Sequence, residues 1–123
     1  MKHEELTARI NELQDYIKTG RILEAMDEFY DESIAMQENA NPPTVGLAEN
    51  TEREKQFLAQ IKEFQRYEPL AVTVGDHATA VESVMEFINI EGHQVKLEQV
   101  TVQRWNEAGK IVHERFYYDA SGK

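Results

Sequence analysis

The second half of the chain strongly constrains the fold, because four long β-prone segments are separated by very short polar turns. The turns read "GDH", "EGH" and "NEAG". Connections of this length join antiparallel neighbours in a sheet. We therefore predict a four-stranded meander from the segments "PLAVTVG", "ATAVESVMEFINI", "QVKLEQVTVQRW" and "KIVHERFYYD". Strands this long twist and curl, so one face of the sheet should be concave.

The first half carries helical periodicity instead. The apolar residues of a first predicted helix recur at steps of four, three and four, namely Leu6, Ile10, Leu13 and Ile17. This spacing places them on one helical face, and Gly20 is well placed to end the helix. A second, shorter helix is predicted from Ile22, Met26 and Phe29. Both helices should pack their apolar faces against the sheet.

An acidic residue interrupts an apolar strand face between the helices. The segment "SIAMQEN" predicts a short strand on which Ile34, Met36 and Glu38 share one face, and the loop "ANPPTVG" follows it. If that face lines the concave side of the sheet, Glu38 points into the protein. The residue is a general base in an apolar pocket, a solvated acid at the strand end, or the partner of an arginine such as Arg115 or Arg53.

A third helix is predicted from Glu49 to Tyr67, closed by Pro69. Its apolar stripe would be Phe57, Ile61 and Phe64, and Asn50 or Thr51 would cap its first turn. Three helices followed by a meander, with one early strand, is an α+β pattern. We expect the helices to cover the curved sheet and to close a cone that encloses a pocket.

Composition narrows the possible functions. With 123 residues and 41% hydrophobic residues, we expect a single domain, residues 1–123. A formal charge of -10 disfavours binding to nucleic acid or to anionic membranes. The chain has no cysteine and no apolar run long enough for a membrane span, so a cytoplasmic location is expected. The four histidines lack a metal-ligand spacing, and we expect neither a metal nor another cofactor.

The order of these elements resembles the nuclear transport factor 2-like (cystatin-like) superfamily. The resemblance rests on the segment "EFYDESIAMQEN", the "PP" loop, the third helix and the final "RWNEAGKIVHERFYYD" hairpin, and it covers about Glu4 to Asp119. This superfamily includes SnoaL-like polyketide cyclases and ketosteroid isomerases. The resemblance implies a cone-shaped fold of three N-terminal helices on a strongly curved, mainly antiparallel sheet. It also implies a homodimer formed through the outer face of the sheet.

Comparison with ketosteroid isomerase implies a catalytic role for Glu38. The isomerases carry their base at the end of the first strand, eight residues after an aromatic, and Glu38 lies eight residues after Tyr30. The two groups that bind the oxyanion in the isomerases are not reproduced, because Leu13 and Thr101 occupy the matching positions. Steroid isomerisation itself is therefore disfavoured.

Strand parity in the same comparison predicts the pocket wall. It turns Val112, Glu114, Phe116 and Tyr118 inward and His113 outward. The expected lining residues are Tyr30, Met36, Phe57, Phe64, Gln99, Thr101, Gln103, Trp105, Glu114 and Tyr118. On the "ATAVESVMEFINI" strand the choice stays open between an inward set containing Glu82 and Glu86 and an inward set of Val81, Ser83, Met85 and Phe87.

Two functional hypotheses follow. In the first, the protein is a cofactor-independent isomerase, cyclase or dehydratase, in which Glu38 removes a proton beside the carbonyl of a small apolar substrate. Thr101, Gln99 or Gln103 would then bind the developing enolate. In the second, the same cone is a non-catalytic ligand-binding or dimerisation module, because a base without an oxyanion site is a poor catalyst.

Overall fold

The computed structural model describes residues 1–120 and confirms the α+β class. Over these residues it contains three helices and six strands. Their bounds are α1 His3–Lys18, α2 Ile22–Phe29, β1 Tyr30–Glu38, β2 Thr44–Val45, α3 Leu47–Ala59, β3 Ile61–Val74, β4 Ala78–Asn89, β5 Gln94–Trp105 and β6 Ile111–Tyr118. Within the described part of the chain, no helix combines the length and apolar character needed to cross a membrane.

The strands form one sheet with the order β2-β1-β6-β5-β4-β3. Strands β3 to β6 pair antiparallel in sequence order, so the predicted meander and its three hairpin turns are confirmed. β1 lies beside β6 and runs parallel to it, and the two-residue β2 extends the sheet on the far side of β1. The early strand thus joins the meander at the β6 edge, which brings the C-terminal end of β1 beside the last strand.

The first two helices have the apolar faces that the sequence predicts. Leu6, Ile10 and Leu13 of α1 are at most 1% exposed, and Met26 and Phe29 of α2 are equally buried. Gly20 follows α1 with a φ of 75°, a left-handed conformation that glycine adopts without strain. These residues form one core cluster with Ile34, Val81, Trp105 and Ile111 of the sheet.

The predicted third helix is too long. Of the three residues predicted to form its apolar stripe, only Phe57 belongs to the helix. α3 ends at Ala59, and Ile61 and Phe64 belong to β3, which pairs with β4 along its length. The error has a structural cause. β3 carries register shifts after Ile61 and after Phe64, so the strand presents Ile61, Phe64 and Tyr67 to the interior at steps of three. Such bulges add a residue and imitate helical spacing.

Two local predictions on this segment also need correction. Pro69 lies within β3, where an edge strand with a third register shift tolerates its missing donor. Helix α3 begins earlier than predicted, with Gly46 before its first residue, so Asn50 is no cap. Asn50 is instead 3% exposed, and its side-chain amide donates to the carbonyl oxygens of Thr44 and Gly46, each at 2.9 Å. This residue ties the first turn of α3 to β2.

Candidate functional site

The helices and the concave side of the sheet enclose a cavity of about 720 Å³. This volume lies in the range of small-molecule pockets in proteins. Every helix and every strand except β2 contributes to the wall. Most wall residues are apolar or aromatic, including Ile17, Met26, Met85, Phe87, Leu97 and Phe116. The fold therefore holds an internal space large enough for a compact organic molecule.

The structure brings most of the predicted site residues into this wall. Those that line the cavity are Tyr30, Met36, Glu38, Phe57, Phe64, Gln99, Thr101, Gln103, Glu114 and Tyr118. Phe57 lines it from α3, whereas Phe64 lines it from β3 rather than from the predicted helix. Glu38 therefore lies on the interior side of β1, the side that strand parity predicts from the sequence.

Trp105 is the exception among the predicted lining residues. It is 4% exposed and belongs to the core cluster, and it is not part of the cavity wall. A register shift follows Arg104, so that Trp105 pairs with Ile111, and Ile111 rather than the predicted Val112 is fully buried. Bulges of this kind invert parity locally. The indole N–H of Trp105 donates a hydrogen bond to the Thr79 hydroxyl at 2.9 Å.

Glu38 lies at the mouth of the cavity with two partners. Its Oε2 is 3.2 Å from Nη2 of Arg53, and its Oε1 accepts a hydrogen bond from the Tyr118 hydroxyl at 2.9 Å. The side chain is 42% exposed. Of the two arginines considered, Arg53 is the partner, since the Arg115 guanidinium donates to the backbone oxygen of Asn39. Glu38 is thus an oriented, ion-paired carboxylate.

Glu114 lies deeper and is 3% exposed. Its Oε1 accepts from the Tyr30 hydroxyl, and its Oε2 accepts from Nε2 of Gln103 at 3.2 Å. The Gln103 Oε1 in turn accepts from the Thr79 hydroxyl at 2.7 Å. Burial raises the pKa of Glu114 to about 7, although the hydrogen bonds from Tyr30 and Gln103 oppose this rise.

The direction of this hydrogen-bond chain is fixed at its far end. An indole N–H can only donate, so the Thr79 oxygen accepts from Trp105 and its proton points to Gln103. Gln103 must then present its NH₂ group to Glu114. The surroundings of Glu114 therefore offer donors to both oxygens, an arrangement that suits a carboxylate better than a carboxylic acid.

Glu54 was missed by the sequence reasoning. This half-buried residue of α3 lines the cavity, and burial and the nearby Glu38 raise its pKa to about 7. Within residues 1–120 its carboxyl group makes no hydrogen bond or ion pair. A signal was present, because Glu54 precedes Phe57 by three residues and so shares its helical face.

The cavity wall shows which of the two alternating sets of β4 residues points inward. Val81, Met85 and Phe87 line the cavity, whereas Glu82 is exposed on the other face and Glu86 pairs with Arg66 at 3.0 Å. His113 is not among the wall residues either. Residues 1–120 contain no group of three or more acidic or histidine side chains arranged to hold a metal ion.

The comparisons with known proteins agree with this architecture. A family model described as "SnoaL-like domain" matches residues 1–118. The chain belongs to the SnoaL-like domain family. No curated protein sequence matches it.

Solved structures share the fold at low sequence identity. A candidate SnoaL-like polyketide cyclase from Mesorhizobium loti is 20% identical with a TM-score of 0.78, and the match covers 96% of this chain and 100% of that one. A nuclear transport factor 2-like protein of unknown function from Burkholderia pseudomallei is 15% identical with a TM-score of 0.83, covering 99% and 95%. A candidate hydroxylase from Streptomyces galilaeus is 13% identical with a TM-score of 0.79, covering 98% and 92%. These likenesses establish the fold alone.

Proposed function

We propose that this SnoaL-like protein binds a small, largely apolar carbonyl compound in its cavity and acts on it by cofactor-independent acid–base chemistry. An isomerase, a cyclase and a dehydratase would all fit this description. The observation that carries the proposal is the position of Glu38, an oriented carboxylate at the mouth of a cavity of about 720 Å³. A substrate held by the apolar wall would present its reactive carbon to this group.

In the proposed reaction, Glu38 removes a proton from the carbon beside the carbonyl group. Arg53 pairs with one oxygen of Glu38, and the Tyr118 hydroxyl fixes the direction of the other. The oxygen of the resulting enolate needs a donor. Thr101 and Gln99 line the cavity, and their side chains make no hydrogen bond to residues 1–120, so they are free to donate. Gln103 is less suitable, because its amide is already engaged by Thr79 and Glu114.

A non-catalytic ligand-binding module is the second candidate, and two observations favour it. Leu13 is 0% exposed in the core, so no donor reaches the cavity from that position. Both oxygens of Glu38 are also already engaged, one by Arg53 and the other by Tyr118. In this alternative the cavity would bind the same class of compound without converting it.

A proton-exchange assay separates the two candidates without knowledge of the true substrate. The compound tetralone exchanges the hydrogens beside its carbonyl with deuterium from heavy water, and NMR follows the rate. If Glu38 is the base, Glu38→Gln should reduce the catalysed rate by about 10²–10⁴-fold. The melting temperature should barely change, because half-exposed ion pairs contribute about 0–1 kcal/mol to stability.

Glu68→Gln is a matched control, since Glu68 forms a similarly exposed pair with Arg66 at 2.9 Å but does not line the cavity. This variant should exchange tetralone at the wild-type rate. Binding of tetralone without any catalysed exchange would eliminate the enzyme and leave the ligand-binding module.

We also propose that the protein forms a homodimer through the outer face of its sheet. Leu70, Val100 and Tyr117 are 57%, 41% and 42% exposed there and border a groove that charged side chains such as Lys96 and Glu98 also line. Apolar side chains grouped on one sheet face are typical of an interface. A second copy of the chain would cover them.

A further inference from the structure

The charges that face the cavity are unevenly distributed. Three carboxyl groups line it, from Glu38, Glu54 and Glu114. Among the described residues its basic side chains are Arg53, which is paired with Glu38 at the mouth, and Lys62, which is exposed at the start of β3. The remaining titratable groups are the hydroxyls of Tyr30, Tyr67 and Tyr118. No cation of the described chain therefore balances Glu54 and Glu114.

The two deeper carboxyl groups differ in their hydrogen bonds. Glu114 accepts from Tyr30 and Gln103, so both of its oxygens are already engaged. Glu54 has no such donors, and its electrostatic neighbours Glu38 and Glu114 are both acidic. A half-buried carboxylate between two others is unfavourable until a positive charge reaches it. Among the carboxyl groups of the wall, Glu54 is thus the one whose ionised form a cationic ligand would stabilise most.

The aromatic residues of the wall point to the same ligand chemistry. Phe57 of α3, Phe87 of β4 and Phe116 of β6 line the cavity together with Tyr30 and Tyr67. Aromatic rings pack well against an apolar molecular body, and their faces attract organic cations. An anionic ligand would meet the carboxylates, and a neutral one would leave Glu54 uncompensated.

We propose that the compound bound in the cavity carries a protonated amine on its apolar body and that Glu54 is the residue that binds this amine. The inference rests on the proposed function, since it assigns a charge to the same small molecule. It adds a role for a residue outside the proposed base and enolate site. Glu38 and Arg53 would then act at the mouth, and Glu54 would fix the cationic part of the molecule.

The proposal predicts a definite pH dependence of binding. A cation binds the ionised form of Glu54, and the pKa of that group is about 7 in the unliganded protein. Below this pH the group must first lose a proton, which weakens the apparent affinity. Between about pH 8 and about pH 6 the affinity for an amine should therefore fall about tenfold, and titration of Glu114 in the same range would steepen the fall.

Three probes of equal size test the inference, namely diphenylethylamine, diphenylethanol and diphenylacetate. Calorimetry on the intact protein at about pH 8 should show that the amine binds about tenfold or more tightly than the alcohol, as a charge-assisted hydrogen bond allows. The acetate should bind most weakly. In Glu54→Gln the amine and the alcohol should bind within about threefold of one another, while the affinity for the alcohol persists.

Glu52→Gln is the control, because Glu52 lies on the same helix and carries the same charge but is exposed and does not line the cavity. It should retain the full preference for the amine. Equal binding of amine and alcohol by the wild type, or a preference that survives in Glu54→Gln, would overturn the inference and leave the proposed apolar binding intact. If none of the three probes binds at millimolar concentration, the proposed function fails together with the inference.

Discussion

Replacing Glu114 by glutamine should change how the stability of the protein depends on pH. Glu114 is 3% exposed, and burial raises its pKa from the ordinary 4.5 to about 7. Each pKa unit corresponds to about 1.4 kcal/mol, so full ionisation in the folded state costs about 3 kcal/mol relative to the unfolded chain. Glutamine has nearly the same shape and carries no charge, so the variant avoids this cost.

The sign follows from proton binding. Between pH 4.5 and about 7 the folded protein holds a proton on Glu114 that the unfolded chain has released. The free energy of unfolding of the wild type should therefore be highest, relative to the variant, below pH 4.5 and should fall as pH rises through about 7. The amide introduced by Glu114→Gln has one acceptor oxygen, so it can accept from only one of the two donors, Tyr30 and Gln103. This loss adds an offset of about 1 kcal/mol that does not vary with pH.

Urea unfolding of both proteins at a series of pH values measures the difference directly. Subtracting the two curves of unfolding free energy against pH cancels the contributions of the titrating groups that both proteins share. The difference should change by about 3 kcal/mol in favour of the variant as the pH rises from 4.5 through about 7. Glu82→Gln, at an exposed position on the outer sheet face, should show a much smaller change. A flat difference, or one that grows in favour of the wild type with rising pH, would show that the two hydrogen bonds outweigh burial and would refute the reasoning.

Two further predictions concern the core and the proposed interface. Trp105→Phe removes the indole donor to Thr79 and should lower the free energy of unfolding by about 2 kcal/mol, measured by urea unfolding. An unchanged stability would show that the chain does not depend on this donor. Val100→Lys places a charge on the outer sheet face and should convert the proposed dimer into a monomer in light scattering. The same change at the exposed Val45, three strands away on β2, should leave the dimer intact. Monomeric wild-type protein would contradict the proposed interface.

The meander could be predicted from sequence because its signals are local. Each turn is a few polar residues between β-prone segments, and no distant contact is needed to recognise it. The inward direction of Glu38 follows in the same way from strand parity. The end of α3 could not be predicted by that logic, since the bulges of β3 place Ile61 and Phe64 at a spacing that also fits a helix. Pairing with β4, a tertiary contact, decides between the two.

The candidate site shows a similar limit. Sequence narrows the partner of Glu38 to two arginines, but only the packing of α3 against β1 selects Arg53. Glu54 shares a helical face with Phe57, yet an acid near the predicted start of a helix is usually solvated, so this spacing alone does not separate an interior group from a solvated one. Its raised pKa arises from burial and from Glu38, which belongs to a different element of the fold. Electrostatic properties of this kind exist only in the folded protein.

The interior carboxyl groups oppose folding at neutral pH, and this opposition links stability to ligand binding. Glu114 and Glu54 both have raised pKa values, so each makes the folded state less favourable as it ionises. Packing does not require the charge of either group, because an uncharged glutamine has almost the same volume. A cationic ligand would offset their repulsion, and by linkage it would stabilise the folded protein more at pH 8 than at pH 6, where the groups still hold protons. An uncharged ligand would raise stability by a similar amount at both values. The carboxyl groups that lower the stability of the folded protein are therefore the same groups that would make its cavity selective for a positively charged molecule.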